Sequence, residues 1–175
     1  MKWYATVLRG SRFAGCLLAV VLAMSANAAQ DAGEKQFLNS AAKGSTAEVA
    51  LGQMAETRAE DEDVQAFGRR MVQDHRKALE EARQLASETG VPLSVELTPE
   101  NEKLAEDLSG KIGAEFDRVY MQAMVKNHKQ TVDRFEKQAQ SGNGKVAAYA
   151  EKQLPVLKEH LEMAQNLSGE LQQSD

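Results

Sequence analysis

The 175-residue sequence contains one cysteine, one tryptophan, three prolines and few aromatic residues. The cysteine, Cys16, lies in the first segment of the chain, so the remainder has no thiol for a disulfide, a thiolate metal site or nucleophilic cysteine chemistry. Basic residues are outnumbered, with 21 Lys and Arg against 26 Asp and Glu, and no basic stripe stands out. Such a chain repels phosphate, which argues against nucleic acid as a partner. The longest uncharged apolar run, Phe13 to Met24, falls short of the roughly 20 residues a membrane span needs. Also missing are a nucleophile elbow, a phosphate-cradling glycine loop and any fixed acid–base pair, so the sequence leans away from an enzyme.

The beginning of the chain reads as an address. Lys2, Arg9 and Arg12 precede the apolar run, and Ala26-Asn27-Ala28 fits the small-x-small cleavage pattern of a secretory signal peptide. The expectation is a signal peptide over residues 1–28, export to the periplasm, and a domain over 29–175. Phe13-Ala14-Gly15-Cys16 loosely resembles a lipoprotein box, but its cysteine precedes the apolar run where processing requires it to follow. Cleavage after Ala28 leaves 18 basic residues (21 less Lys2, Arg9 and Arg12) against 26 acidic ones, a formal charge of −8.

Strong helix formers dominate the rest. Apolar residues at steps of three and four define four long helices. The first spans about 34–59, with Phe37, Leu38, Ala41, Ala42, Val49, Leu51 and Ala55 on its stripe and a weakening Gly44-Ser45-Thr46 in its middle. The second runs from a cap at Asp61 or Asp63 to about Thr89, with Val64, Phe67, Met71, His75, Ala78, Ala82 and Leu85 inward and Gly90 as its stop. The third covers about 114–140 on Phe116, Tyr120, Met124, His128, Thr131, Phe135 and Ala139. The fourth covers about 145–167 on Val146, Ala150, Leu154, Leu157, Leu161, Ala164 and Leu167, kinked by Pro155, with His160 at the stripe's edge and a fraying tail beyond Gly169. The turn Ser141-Gly142-Asn143-Gly144 joins the last two. Between helices two and three, Thr98-Pro99-Glu100 starts a short helix ending near Leu108. Two short connections and one long one predict an all-α four-helix bundle, ferritin-like, with a central crossover carrying a short helix and a core over about 34–167. A simple up-down-up-down order is the alternative.

Three histidines, His75, His128 and His160, each fall within a different long helix, and each has a methionine one turn away: Met71, Met124 and Met163. His75 and His128 lie roughly 20 Å from the starts of their helices, and Glu48 is near the middle of the first. These side chains therefore share one height if the helices turn them inward. Two readings follow. In the first, the histidines are packed core residues and the methionines fill gaps, leaving an exported bundle with a structural, stress-related or interaction role. In the second, His75, His128 and His160, assisted by Glu48 or by Met71, Met124 and Met163, hold a metal. Imidazole with thioether suits Cu(I), and imidazole with carboxylate suits zinc or Cu(II). A conventional di-iron centre does not fit. It needs Glu-x-x-His, whereas Val72, Val125 and Leu157 stand three residues before the histidines. Asp74 and Asn127 are expected to face outward, because helix neighbours point about 100° apart. Homo-oligomers and periplasmic protein partners both stay open.

A set of separated motifs occurs in order: Phe37-Leu38-x-x-Ala41-Ala42-x-Gly44, Glu48-Val49-x-Leu51-Gly52, Val64-x-x-Phe67-x-x-x-Met71-Val72-x-Asp74-His75, Phe116-Asp117-x-x-Tyr120-Met121, Asn127-His128 and Leu154-Pro155-x-Leu157-x-x-His160-Leu161. Over about residues 34–167 the chain resembles the domain of unknown function 4142 family. The resemblance implies an exported bacterial protein with a ferritin-like bundle and no agreed activity. It makes Glu48, His75, His128 and His160 motif positions. The family pattern usually has Asp-His on the third long helix, where this chain has Asn127-His128.

Overall fold

The computed structural model describes the backbone of residues 14–141 and 144–173, and side chains from residue 31 onward. Lys2, Trp3, Arg9, Arg12, Phe13 and the turn residues Gly142 and Asn143 lie outside the described residues, as does the side chain of Cys16. Among the described residues every regular element is helical: α1 Ala14–Arg58, α2 Glu62–Thr89, α3 Pro99–Ser109, α4 Gly113–Gln140 and α5 Lys145–Gln173. The chain divides into two units, Met1–Glu34 and Lys35–Asp175. The packing below is that of the second. No helix among the described residues is long and apolar enough to cross a membrane.

The helix ends follow local chemistry. Asp61 caps α2, its Oδ1 accepting from the backbone N–H of Asp63 at 2.8 Å and of Val64 at 3.2 Å. Gly90 ends α2 at φ +69°, a left-handed conformation that glycine adopts without strain. Thr98 caps α3, and Pro99 fills its first position. The ends of α1 and α5 depart from expectation. Helical backbone begins at Ala14 rather than near Glu34, and α5 passes Pro155 and Gly169 to reach Gln173. Leu167 and Leu171, one turn apart, pack against the core there and hold the last turns in place of the frayed tail.

Two apolar clusters fix the architecture. One contains Leu51 and Ala55 of α1, Phe67 and Met71 of α2, Phe116, Tyr120 and Met124 of α4, and Ala164 of α5. The other contains Phe37, Leu38 and Ala41 of α1, Ala82 and Leu85 of α2, Val132 and Phe135 of α4, and Val146, Tyr149 and Leu157 of α5. Along α1 and α5 the second cluster comes first, and along α2 and α4 the first does. Thus α1 and α5 run one way and α2 and α4 the other, and the α2–α4 link must cross the length of the bundle. Contacts at its ends agree. Asn39 of α1 accepts from the backbone N–H of Ser94 and donates to the carbonyl of Pro92, while Arg58 near the far end of α1 donates to the carbonyl of Lys111. The α1–α2 pair closes tightly where two glycines meet. A Cβ on Gly52 would stand 2.7 Å from the carbonyl oxygen of Gly68, and one on Gly68 would stand 2.7 Å from the Cβ of Ala55.

Candidate metal centre

Between the two clusters lies a polar layer. Glu48 on α1, His75 on α2, His128 on α4 and His160 on α5 each occupy the stretch of helix separating one cluster from the other. All four are buried. His160, expected at a stripe edge, is only 1% exposed, because Leu157, His160 and Ala164 form the buried face of α5 while Leu154 and Leu161 are half-buried. The imidazole rings converge, with centroids 5.8 Å apart for His75 and His128 and 5.4 Å apart for the other two pairs. One nitrogen from each ring lies within 4.8 Å of the others.

Hydrogen bonding decides which nitrogens are free. His128 Nδ1 lies 3.0 Å from the carbonyl oxygen of Met124. A carbonyl can only accept, so Nδ1 carries the proton and Nε2 keeps its lone pair. His160 Nε2 lies 2.9 Å from Asp74 Oδ2, so this nitrogen donates to the carboxylate and Nδ1 is left free. Neither nitrogen of His75 has a partner. Glu48 Oε2 and the Tyr120 hydroxyl are likewise buried without one. A buried polar atom left unsatisfied typically costs about 1–3 kcal/mol, so these atoms are open to a further partner such as water or a metal ion.

Burial depresses His75 well below an ordinary histidine, and the nearby His128 and His160 add to the effect. Burial also lowers His160 to about 4, against the opposing pull of the Asp74 carboxylate. Both rings are therefore neutral at physiological pH, the state in which imidazole binds metal. Burial raises Glu48, while His128 and a hydrogen bond from Asn127 pull the other way.

Asp74 and Asn127 do not simply face outward. Asp74 reaches across to α5 and is itself held by Arg70, which also pairs with Glu159 at 3.3 Å. Partial burial would raise its pKa, but the hydrogen bonds from Arg70 and His160 hold it below the usual carboxylate value. An acid that fixes the tautomer of a ligating histidine is a recurrent feature of metal sites. In the sequence, the only sign of this was the adjacency of Asp74 and His75. Asn127 donates to Glu48 where an ionised aspartate would repel it. The methionines sit elsewhere. Met71 and Met124 are fully buried in the apolar cluster with Phe67 and Tyr120, and Met163 packs against that cluster. The cavity at the rings, about 40 Å³, is lined by Glu48, Asp74 and the three histidines but by none of these methionines.

The sequence profile of the domain of unknown function DUF4142 matches residues 19–167. No curated protein matches the chain. Among solved structures, a DUF305 fragment from Deinococcus radiodurans is similar in fold, with a TM-score of 0.71 and 14% sequence identity over 79% of this chain and 96% of that one. At that identity the likeness speaks for the fold alone.

Proposed function

The chain belongs to the domain of unknown function 4142 family, and from that premise we propose an exported, periplasmic, ferritin-like four-helix bundle that binds a transition-metal ion on His75, His128 and His160. The observations behind this reading are the convergence of one nitrogen from each of three buried imidazoles within 4.8 Å and the presence on each ring of a nitrogen without a protein partner. Glu48 lines the same cavity and offers a carboxylate oxygen near, but outside, the converging set of three nitrogens. Three imidazoles and a carboxylate suit Zn(II) or Cu(II) better than Cu(I), for which the thioethers would have to leave the apolar cluster. Export is supported by the basic start, the short apolar run and the Ala26-Asn27-Ala28 cleavage pattern.

The 4.8 Å span favours a second reading. Nitrogens bound tetrahedrally to one zinc at about 2.0–2.1 Å stand roughly 3.3 Å apart, so a pair at the full 4.8 Å must close by about 1.5 Å. Internal water could instead bridge them, leaving a structural or interaction protein with a hydrated layer. Thermal melting with Zn(II), Cu(II) and Cu(I) separates the two. A real site stabilises the wild type by about 2.7 kcal/mol at a metal concentration a hundredfold above Kd, and the His75→Ala, His128→Ala, His160→Ala triple variant does not respond. Equal responses from the two proteins, or none from either, would remove the metal reading.

A further inference from the structure

Gly44, half-buried on α1, contrasts with the two buried glycines of the α1–α2 contact. Gly52 and Gly68 are required where α1 and α2 touch, but a Cβ on Gly44 would meet nothing within 4 Å. Glycine within a helix is unfavourable, and at this position packing gives no reason for it. Its surroundings suggest one. A surface groove of about 330 Å³ lies between α1, α4 and the first turn of α3, where Thr98, Glu100 and Asn101 form one wall. Ser40, Gly44, Glu48, Thr131 and Arg134 line both this groove and the small cavity that holds the imidazoles. The two spaces therefore adjoin at these five residues, with Gly44 and Glu48 one turn apart on the α1 side and one Glu48 oxygen unpartnered.

We infer that Gly44 keeps open a port through which a hydrated metal ion passes from the groove, along Glu48, to the three histidines. This inference rests on the metal reading above. A side chain at residue 44 would meet open space, in lining common to the groove and the cavity, instead of packed atoms, so it can narrow a passage there without disturbing the core. The short polar residues Ser40 and Thr131 can hydrogen-bond the water that the ion carries or sheds. Glu48 offers a carboxylate oxygen on the way in, a hard donor suited to an ion exchanging water for imidazole.

The test is stopped-flow loading of the metal-free protein with Zn(II) or Cu(II), and stripping of the loaded protein with a chelator. Wild type is compared with Gly44→Leu, Gly44→Ala and a control, Gly169→Leu, whose position is also open but lies in the final turns of α5. Leucine is a better helix former than glycine, so these variants retain the fold. Gly44→Leu should slow loading and stripping together by roughly tenfold or more, as expected when entry must wait for an opening. The equilibrium Kd should hold, Gly44→Ala should fall in between, and Gly169→Leu should match wild type. Wild-type rates in Gly44→Leu with intact binding would overturn the port alone. A Kd that weakens in step with the loading rate would also overturn it, because the leucine would then be acting on the site itself. Failure of the wild type to take up either metal would instead bring down the metal reading, and the port with it.

Discussion

The apolar cluster around Phe67, Met71, Phe116, Tyr120 and Met124 and the polar layer one helical turn away are built from the same four helices, yet they follow opposite rules. In the cluster the side chains are dry and packed, and Phe67 and Tyr120 meet edge to face at 6.1 Å. In the layer, Glu48, His75, His128 and His160 are also buried, but each has at least one polar atom without a partner. Tyr120 joins the two regions. Its ring belongs to the cluster, while its hydroxyl, unpartnered and pushed well above its usual pKa by burial and then by Glu48, belongs to the layer. The contrast separates two tasks. The cluster holds the rods together, and on the proposed metal reading the layer gives up stability to keep donor atoms free.

Breaking the cluster should have the largest effect. Phe67→Ala is expected to cost about 3–5 kcal/mol of stability in urea unfolding of the metal-free protein, through lost burial and the cavity left behind. A loss much below 1 kcal/mol would mean the cluster is not where stability resides.

Acid should act next, and on the layer. Folded His160 stays neutral down to about pH 4, whereas the unfolded chain takes up that proton near its ordinary value. Between these pH values the unfolded state binds more protons. Stability of the metal-free protein is therefore lost as pH falls through the ordinary histidine range toward 4, by about 3 kcal/mol from this group. His75, lowered by burial, adds in the same direction. Glu48 has the opposite sign, since its raised pKa favours the fold as its carboxyl protonates. Glu48→Gln should steepen the acid loss. Urea unfolding across this pH range checks both the slope and its change.

Smaller still is the effect of Asp74→Asn. It should weaken metal binding roughly 10–100-fold, because the His160 tautomer is no longer held by a charged acceptor, while changing the metal-free melting temperature little. Isothermal titration gives the affinity. An unchanged Kd would make the Asp74–His160 contact purely structural.

The smallest change expected is in the stability of His75→Leu. Replacing a ring whose two nitrogens lack partners with an apolar side chain should leave the metal-free protein unchanged or stabilise it by about 1 kcal/mol, while abolishing metal-dependent stabilisation. A destabilisation of about 3 kcal/mol would assign His75 a structural bond and erase the distinction between cluster and layer.

Much of this was legible in the sequence. The α2 stripe from Val64 to Leu85 is buried along its length, and Asp61, Gly90 and Thr98 end helices as their chemistry requires. The shared height of Glu48 and the three histidines was legible, and the structure adds the inward turn that buries all four and brings the imidazoles together. What could not be read depends on how one helix is turned and shifted against another. Helical spacing alone did not place Asp74 against His160, or Gly52 against Gly68. The same is true of the mutual clasp near the α1–α2 turn. There Asp117 of α4 accepts from the backbone N–H groups of Glu60 and Asp61, while the Glu60 carboxylate accepts from the N–H of Ala114. The methionines mark the same limit. Their spacing puts them on the faces of the histidines, but one turn along the axis is enough to move Met71 and Met124 into the dry cluster.

The most direct measurement is X-ray absorption on the chain loaded with one equivalent of zinc. The expected spectrum has a nitrogen and oxygen shell at about 2.0–2.1 Å with the outer scattering of three imidazoles and no sulfur. A sulfur shell near 2.3 Å, or the spectrum of a fully hydrated ion without imidazole scattering, would contradict the proposed centre.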